Sequence, residues 1–115
     1  MFNAYQIQRV VADYYGVPFD SSMSRPLRRG PWRWFHARAV SMYLCRRHLP
    51  DPDGLFESIG RAHGGRDRST ASNAVSGIRG RCESEQVLKQ ELRQIVLKLG
   101  DPRVARSFDQ VTKET

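Results

Sequence analysis

The stretch Gly60–Val75, "GRAHGGRDRSTASNAV", decides how this chain folds. Two adjacent glycines are followed at once by Arg-Asp-Arg-Ser-Thr, and small apolar residues then recur at helical spacing. Glycine readily takes the positive φ that a sharp helix exit needs. Asp67 has the chemistry of a helix N-cap, and its carboxylate suits the positive end of the helix dipole. Beyond it, Ala71, Ala74, Val75 and Ile78 fall at i, i+3, i+4 and i+7, which predicts a helix over 67–82 with one face free to pack. A phosphate-binding loop, a plain cap and the nose of a DNA-reading helix share these features. The Walker loop is set aside, because it needs a preceding strand and a Gly-Lys-Ser/Thr ending that "GGRDRST" lacks.

Working outward, a short helix is expected over about Leu55–His63, with Leu55, Ile59 and Ala62 facing inward. Two short helices on either side of a glycine turn make a helix-turn-helix, whose second helix enters the major groove N-terminal end first. Arginine offers guanine two donors, aspartate accepts from the cytosine amino group, and Ser and Thr bond base or phosphate. "RDRST" at 66–70 places all of these at the nose. The bland alternative, in which Asp67 only caps and Arg66 and Arg68 are solvated, stays open at this point.

The rest of the chain is also helical. Residues 4–15 carry an Ile7, Val10, Val11, Tyr14 stripe, stopped by Gly16 and Pro18. A helical turn at Phe19–Met23 precedes an extended basic loop with Pro26 and Pro31. A second helix should run from about Phe35 to His48, with Ala39, Met42 and Tyr43 on one face and Arg38, Arg46 and Arg47 pointing elsewhere. A last helix over Ser84–Leu99 has a Leu88, Leu92, Ile95, Leu99 seam, widened by Val87 and Val96. No strand pattern, repeat or low-complexity segment interrupts this all-α reading.

The chain has 115 residues and a net charge of +7. The charge is concentrated: residues 21–48 hold seven arginines and no acid, and 66–82 hold four against Asp67. Of the 19 basic residues 16 are arginine, the side chain that forks onto phosphates and guanine edges. Such blocks point to nucleic acid, to an anionic membrane or merely to a solvated face. Membrane binding through Trp32 and Trp34 is the weaker reading, because proline breaks that segment. No long apolar run or secretory signal is present, so a cytoplasmic, nucleoid-associated setting is expected. Cys45 and Cys82 have no zinc spacing, and Cys45 reads as a small core residue. His36, His48 and His63 have no carboxylate or cysteine partner in sequence. Neither a nucleophile elbow nor any other catalytic motif occurs, so no enzyme activity, metal or cofactor is expected.

The ordered motifs "VVADYYGVPFDSSMS", "RAVSMYLCRRHL" and "IGRAHGGRDRSTA" together resemble the C-terminal DNA-binding domain of the bacterial replication initiators of the DnaA family. That family carries signatures like R-x-[IM]-A-M-Y-L-A-R-E-L and I-G-x-x-F-G-G-R-D-H-[ST]-T-V. The resemblance covers about residues 5–81. It implies a helix-turn-helix fold similar to Trp repressor, of about five helices, over 1–82. The amphipathic helix at 83–100 would pack on it or dimerise, and 101–115 would form a polar tail. By position it implies base contacts from Asp67, Arg68 and Ser69. Phosphate or supporting contacts would come from Arg66, Thr70, Asn73, Arg38 and Arg46. A minor-groove arginine is implied in the basic loop; gapless counting puts Gly30 there, so Arg28 or Arg29 would serve, beside Arg25. The sequence departs from the pattern at Arg68 for His, Ala71 for Val, Asn73 for His, His63 for Phe and Glu57 for Pro. The connection "LPDPDG" is longer by about three residues. These departures fall on or beside the reading surface. The expected partner is double-stranded DNA, with the initiator or other replication proteins as a second class. With no ATPase module in the sequence, the expected role is regulation of replication initiation. A transcription factor of the same fold and a protein-interaction adaptor are the alternatives. Monomer and dimer both remain open.

Overall fold

In the computed structural model, residues 2–24 and 30–100 are described, and they form five α-helices and one short π turn. Among the described residues no strand occurs. The helices are α1 (Ala4–Tyr15), α2 (Trp32–His48), α3 (Phe56–Ala62), α4 (Arg68–Cys82) and α5 (Gln86–Leu99), with the π turn at Asp20–Ser24. Arg25, Arg28 and Arg29, and the tail from Asp101, lie outside the described residues.

α1 opens on a capping box: Asn3 Oδ1 accepts from Gln6 N at 2.8 Å, and Gln6 Oε1 accepts from Asn3 N at 3.0 Å. It closes at Gly16, whose φ of 65° is the left-handed value that favours glycine. Its apolar stripe buries Ile7, Val10 and Val11. α2 is the central helix and packs against α1, α3, α4 and the π turn. Enclosure on several sides explains why its buried residues run almost all round it, from Ala37 to Cys45.

Four boundaries or faces differ from the sequence expectation. α2 begins at Trp32 rather than Phe35, because Pro31 supplies a φ of −54° ready for helix entry and its carbonyl accepts from Trp34 N. The turn after α1 is a π turn at Asp20–Ser24, steadied by the Ser22 hydroxyl donating to Pro18 O at 2.7 Å. α5 starts at Gln86, after a turn in which Glu85 N donates to Arg81 O at 2.8 Å. Its seam is also narrower than expected. Leu88, Leu92, Ile95 and Leu99 are buried against the rest of the domain, but Val87 is 69% exposed and Val96 38%. These two valines sit on the flanks of the buried arc, and Val87 lines an open groove with Tyr15 of α1 and Arg81 of α4.

Cys45 is buried and Cys82 partly so, and both are free thiols. Burial pushes the Cys45 thiol up to about 12, so it packs and does not react. No helix among the described residues is long and apolar enough to cross a membrane.

Candidate nucleic-acid interface

The helix-turn-helix consists of α3, a turn over 63–67 and α4. Glycine is required in it for two distinct reasons. Gly64 and Gly65 take φ values of 83° and 70°, which reverse the chain after α3. Gly60, inside α3, lies under the returning chain: its carbonyl accepts from Arg66 N at 2.8 Å. A Cβ there would run into the carbonyl oxygens of Arg66 and Asp67.

A buried polar pin then fixes the turn. His63 is fully buried; its Nδ1 donates to Ile59 O at 2.8 Å, so its Nε2 accepts from the Ser41 hydroxyl at 2.7 Å. Burial lowers the His63 pKa to about 4 and keeps the ring neutral. The pin ties the turn to α2. From α1, buried Gln8 donates Nε2 to Ala62 O at 2.9 Å and satisfies a carbonyl at the C-terminus of α3. The first helix of the motif is therefore held from two neighbours.

α4 begins with Asp67 as N-cap. Its Oδ1 accepts from Thr70 N at 2.8 Å. That bond, with further help from the Thr70 hydroxyl, holds the carboxyl below its ordinary range. Arg68, Ser69, Thr70 and Asn73 are exposed, while Ala71, Val75 and Ile78 are buried and Ala74 half-buried. The helix thus hides its small apolar face and presents its polar nose.

Two grooves flank this nose. The first, of about 250 Å³ between α2 and α4, brings Arg38, Arg66, Thr70 and Asn73 together beside Phe35. Arg38 donates to Ser22 O at 3.2 Å, and Arg66 donates to the His63 carbonyl. Partial burial, and then the Arg66 charge, lower the Arg38 pKa. Two guanidinium groups held this close make an anion the favourable occupant. The second groove, open and about 460 Å³, is lined by Glu57, Arg61, Asp67 and Arg68 among others. Glu57 and Arg61 there form an exposed pair at 3.6 Å.

Arg46 lies apart from both grooves. Its guanidinium stacks over Phe56 at 4.3 Å and donates to Gly54 O at 2.9 Å, so it ties the α2–α3 connection to α3. Arg38 and Arg46, which the resemblance implies as phosphate or supporting residues, are both tied into the structure by side-chain contacts. Phe35, which lines the first groove, and the Ser41–His63 contact were not anticipated. "WRWF" at 32–35 offered an aromatic signal for the former; the 22-residue separation left none for the latter.

Residues 4–78 match the family described as bacterial DnaA protein helix-turn-helix. Curated relatives are chromosomal replication initiator proteins DnaA. That of Spiroplasma citri is 29% identical over 94 residues, covering 82% of this chain and 20% of the relative. That of Magnetococcus marinus is 34% identical over 87 residues, covering 76% and 18%. That of a Nostoc species is 35% identical over 89 residues, covering 77% and 18%. The chain thus spans about a fifth of the length of the curated relatives it matches. The match takes in α1 through most of α4, and with it the glycine turn and the capped nose; the chain belongs to the bacterial DnaA helix-turn-helix family.

Proposed function

We propose that this chain binds double-stranded DNA by placing the first turns of α4 in the major groove and acts in regulating replication initiation. Asp67, Arg68 and Ser69 face base edges. Arg66, Thr70, Asn73 and Arg38 contact or support phosphate, and Arg46 steadies α3. The basic segment 25–33 grips phosphate or the minor groove. The observation that carries this reading is the convergence of Arg38, Arg66, Thr70 and Asn73 in one groove beside a nose whose Arg68 and Ser69 remain exposed. A guanidinium at the start of a recognition helix reads guanine through two donors. The relatives' name, chromosomal replication initiator, supports a role at sites where replication begins. The accompanying setting is the cytoplasm, at the nucleoid. For the adaptor alternative, the leucine seam of α5 is buried inside the domain, while Val87, Val96 and Leu97 of the same helix stay exposed.

In-vitro selection of bound duplexes tests the reading. Arg68→Ala should cost about 1–3 kcal/mol on the selected site and relax preference at one position. Equal binding of wild type and variant to that site, at moderate salt, would remove Arg68 from the reading set.

A further inference from the structure

Trp32 opens α2 and is 64% exposed, although it is one of the largest apolar side chains in the protein. It does not project freely. Its indole lies parallel to the His36 imidazole, with ring centroids 4.9 Å apart and 15° between planes. His36 is itself clamped on three sides. Its Nδ1 accepts from Arg81 Nη1 at 3.2 Å, its Nε2 faces Glu91 Oε2 at 3.7 Å, and Tyr15 meets its ring edge-on at 5.1 Å. Glu85 holds Arg81 at 2.7 Å, and the Tyr15 hydroxyl donates to Glu91 at 2.8 Å. Residues from four helices thus build a fixed support under one face of the indole.

The exposed Trp32 side chain lines an open groove of about 340 Å³ together with Arg33, Arg81, Glu85 and Glu91; Arg81 and Tyr15 already engage the two carboxylates, which leaves Arg33 as the cation beside the indole. One turn on, Phe35 is 58% exposed and lines the neighbouring groove that holds Arg38 and Arg66. Exposed aromatic rings alternating with arginines are the elements with which proteins hold unpaired bases. The ring stacks on the base, and the arginines take the phosphates.

We propose that Trp32, on its His36 support, is a stacking platform for unpaired nucleobases, giving the domain a second site that binds single-stranded DNA. The base continues the His36–Trp32 stack, and Arg33 takes the adjoining phosphate. Phe35 offers a second ring further along the strand. This site is distinct from the α4 nose, although Trp32 and Arg33 also fall in the basic segment 25–33 assigned above to duplex phosphate or the minor groove.

The test uses the full chain and an oligothymidylate of about twelve nucleotides, a length within the range such sites occupy and a sequence that does not self-pair. Wild type should bind it with quenching of tryptophan fluorescence. Trp32→Ala should weaken binding about tenfold, with an unchanged far-UV circular dichroism spectrum. Trp32→Phe, which keeps a flat ring, should restore most of the binding while losing most of the quenching. Arg68→Ala should alter duplex binding and leave oligothymidylate binding alone, so the two sites fail separately. Oligothymidylate binding unchanged in Trp32→Ala would overturn the proposal. So would competition by heparin with no dependence on the ring, or binding to anionic phosphatidylglycerol vesicles without binding to the oligonucleotide.

Discussion

Replacing Ser41 by alanine should cost far more than the loss of one exposed hydroxyl. Ser41 and His63 are both fully buried, and their 2.7 Å contact gives the His63 Nε2 its partner. Ser41→Ala leaves that nitrogen buried and unsatisfied, at a cost of about 1–3 kcal/mol. For a domain of this size each kcal/mol lowers the melting temperature by about 4–8 °C. His63→Phe alone should cost less, because a serine within a helix can turn its hydroxyl to the carbonyl four residues back, that of Ala37. The double variant replaces both polar partners by apolar groups and should return to within about 1 kcal/mol of wild type. A double-mutant cycle by thermal and urea unfolding measures the coupling. An independent check is pH. His63 has an ordinary pKa of 6.5 and a folded value of about 4, so the unfolded chain binds the proton more readily. Stability is therefore full above about pH 6.5 and falls as pH drops towards 4, by up to about 3 kcal/mol from this group. His36 and His48 are also shifted downward by burial and act with the same sign, so His63→Phe should reduce the acid slope without abolishing it. Additive single and double variants, or an acid slope identical in His63→Phe, would refute the pin.

Other consequences are measurable in the same assays. Gly60→Ala should destabilise the domain by more than the about 1 kcal/mol gained in helix propensity, because its Cβ meets backbone that cannot move aside; a raised melting temperature would contradict this. Ile95→Ala, at a fully buried position of α5, should cost about 2–5 kcal/mol in urea unfolding if α5 is integral to the domain core. A loss under about 1 kcal/mol would mean that α5 packs loosely. Duplex affinity should fall linearly with the logarithm of salt concentration, with a slope of about −0.9 for each phosphate neutralised. Arg38→Ala should make that slope shallower by about 1; an unchanged slope would assign Arg38 a purely structural role.

The elements that local chemistry controls were legible in the sequence. The Gly64–Gly65 exit, the Asp67 cap and the buried face of α4 each follow from residues within a few positions of one another. Order along the chain was legible too, because the three motifs fix which helix follows which. What the sequence did not show is what tertiary neighbours decide. Val87 and Val96 have the right spacing to join the α5 seam, but the packing of α5 on its neighbours leaves both exposed. The partnership of Ser41 with His63, and the meeting of Arg38 with Arg66, bring residues of α2 to the turn between α3 and α4. Periodicity carries no information about such pairs. By position the family resemblance puts Arg46 among the phosphate or supporting contacts. Its donor to Gly54 O and its stacking on Phe56 could be seen only once the α2–α3 connection had a shape.

Arg38 and Arg46 share a manner of attachment with a further consequence. Each lies over an aromatic ring, Phe35 or Phe56, and donates to a backbone carbonyl, Ser22 O or Gly54 O. Neither is paired with a carboxylate among the described residues. Rings and carbonyls anchor a guanidinium without cancelling its charge. The scaffold therefore uses hydrogen-bond donors from these arginines and leaves their full positive field in place. Added salt screens that field at a distance but hardly touches a short contact to a neutral oxygen. If the proposed DNA binding holds, attraction for a polyanion and integrity of the fold should respond to ionic strength independently, although Arg38 would contribute to both.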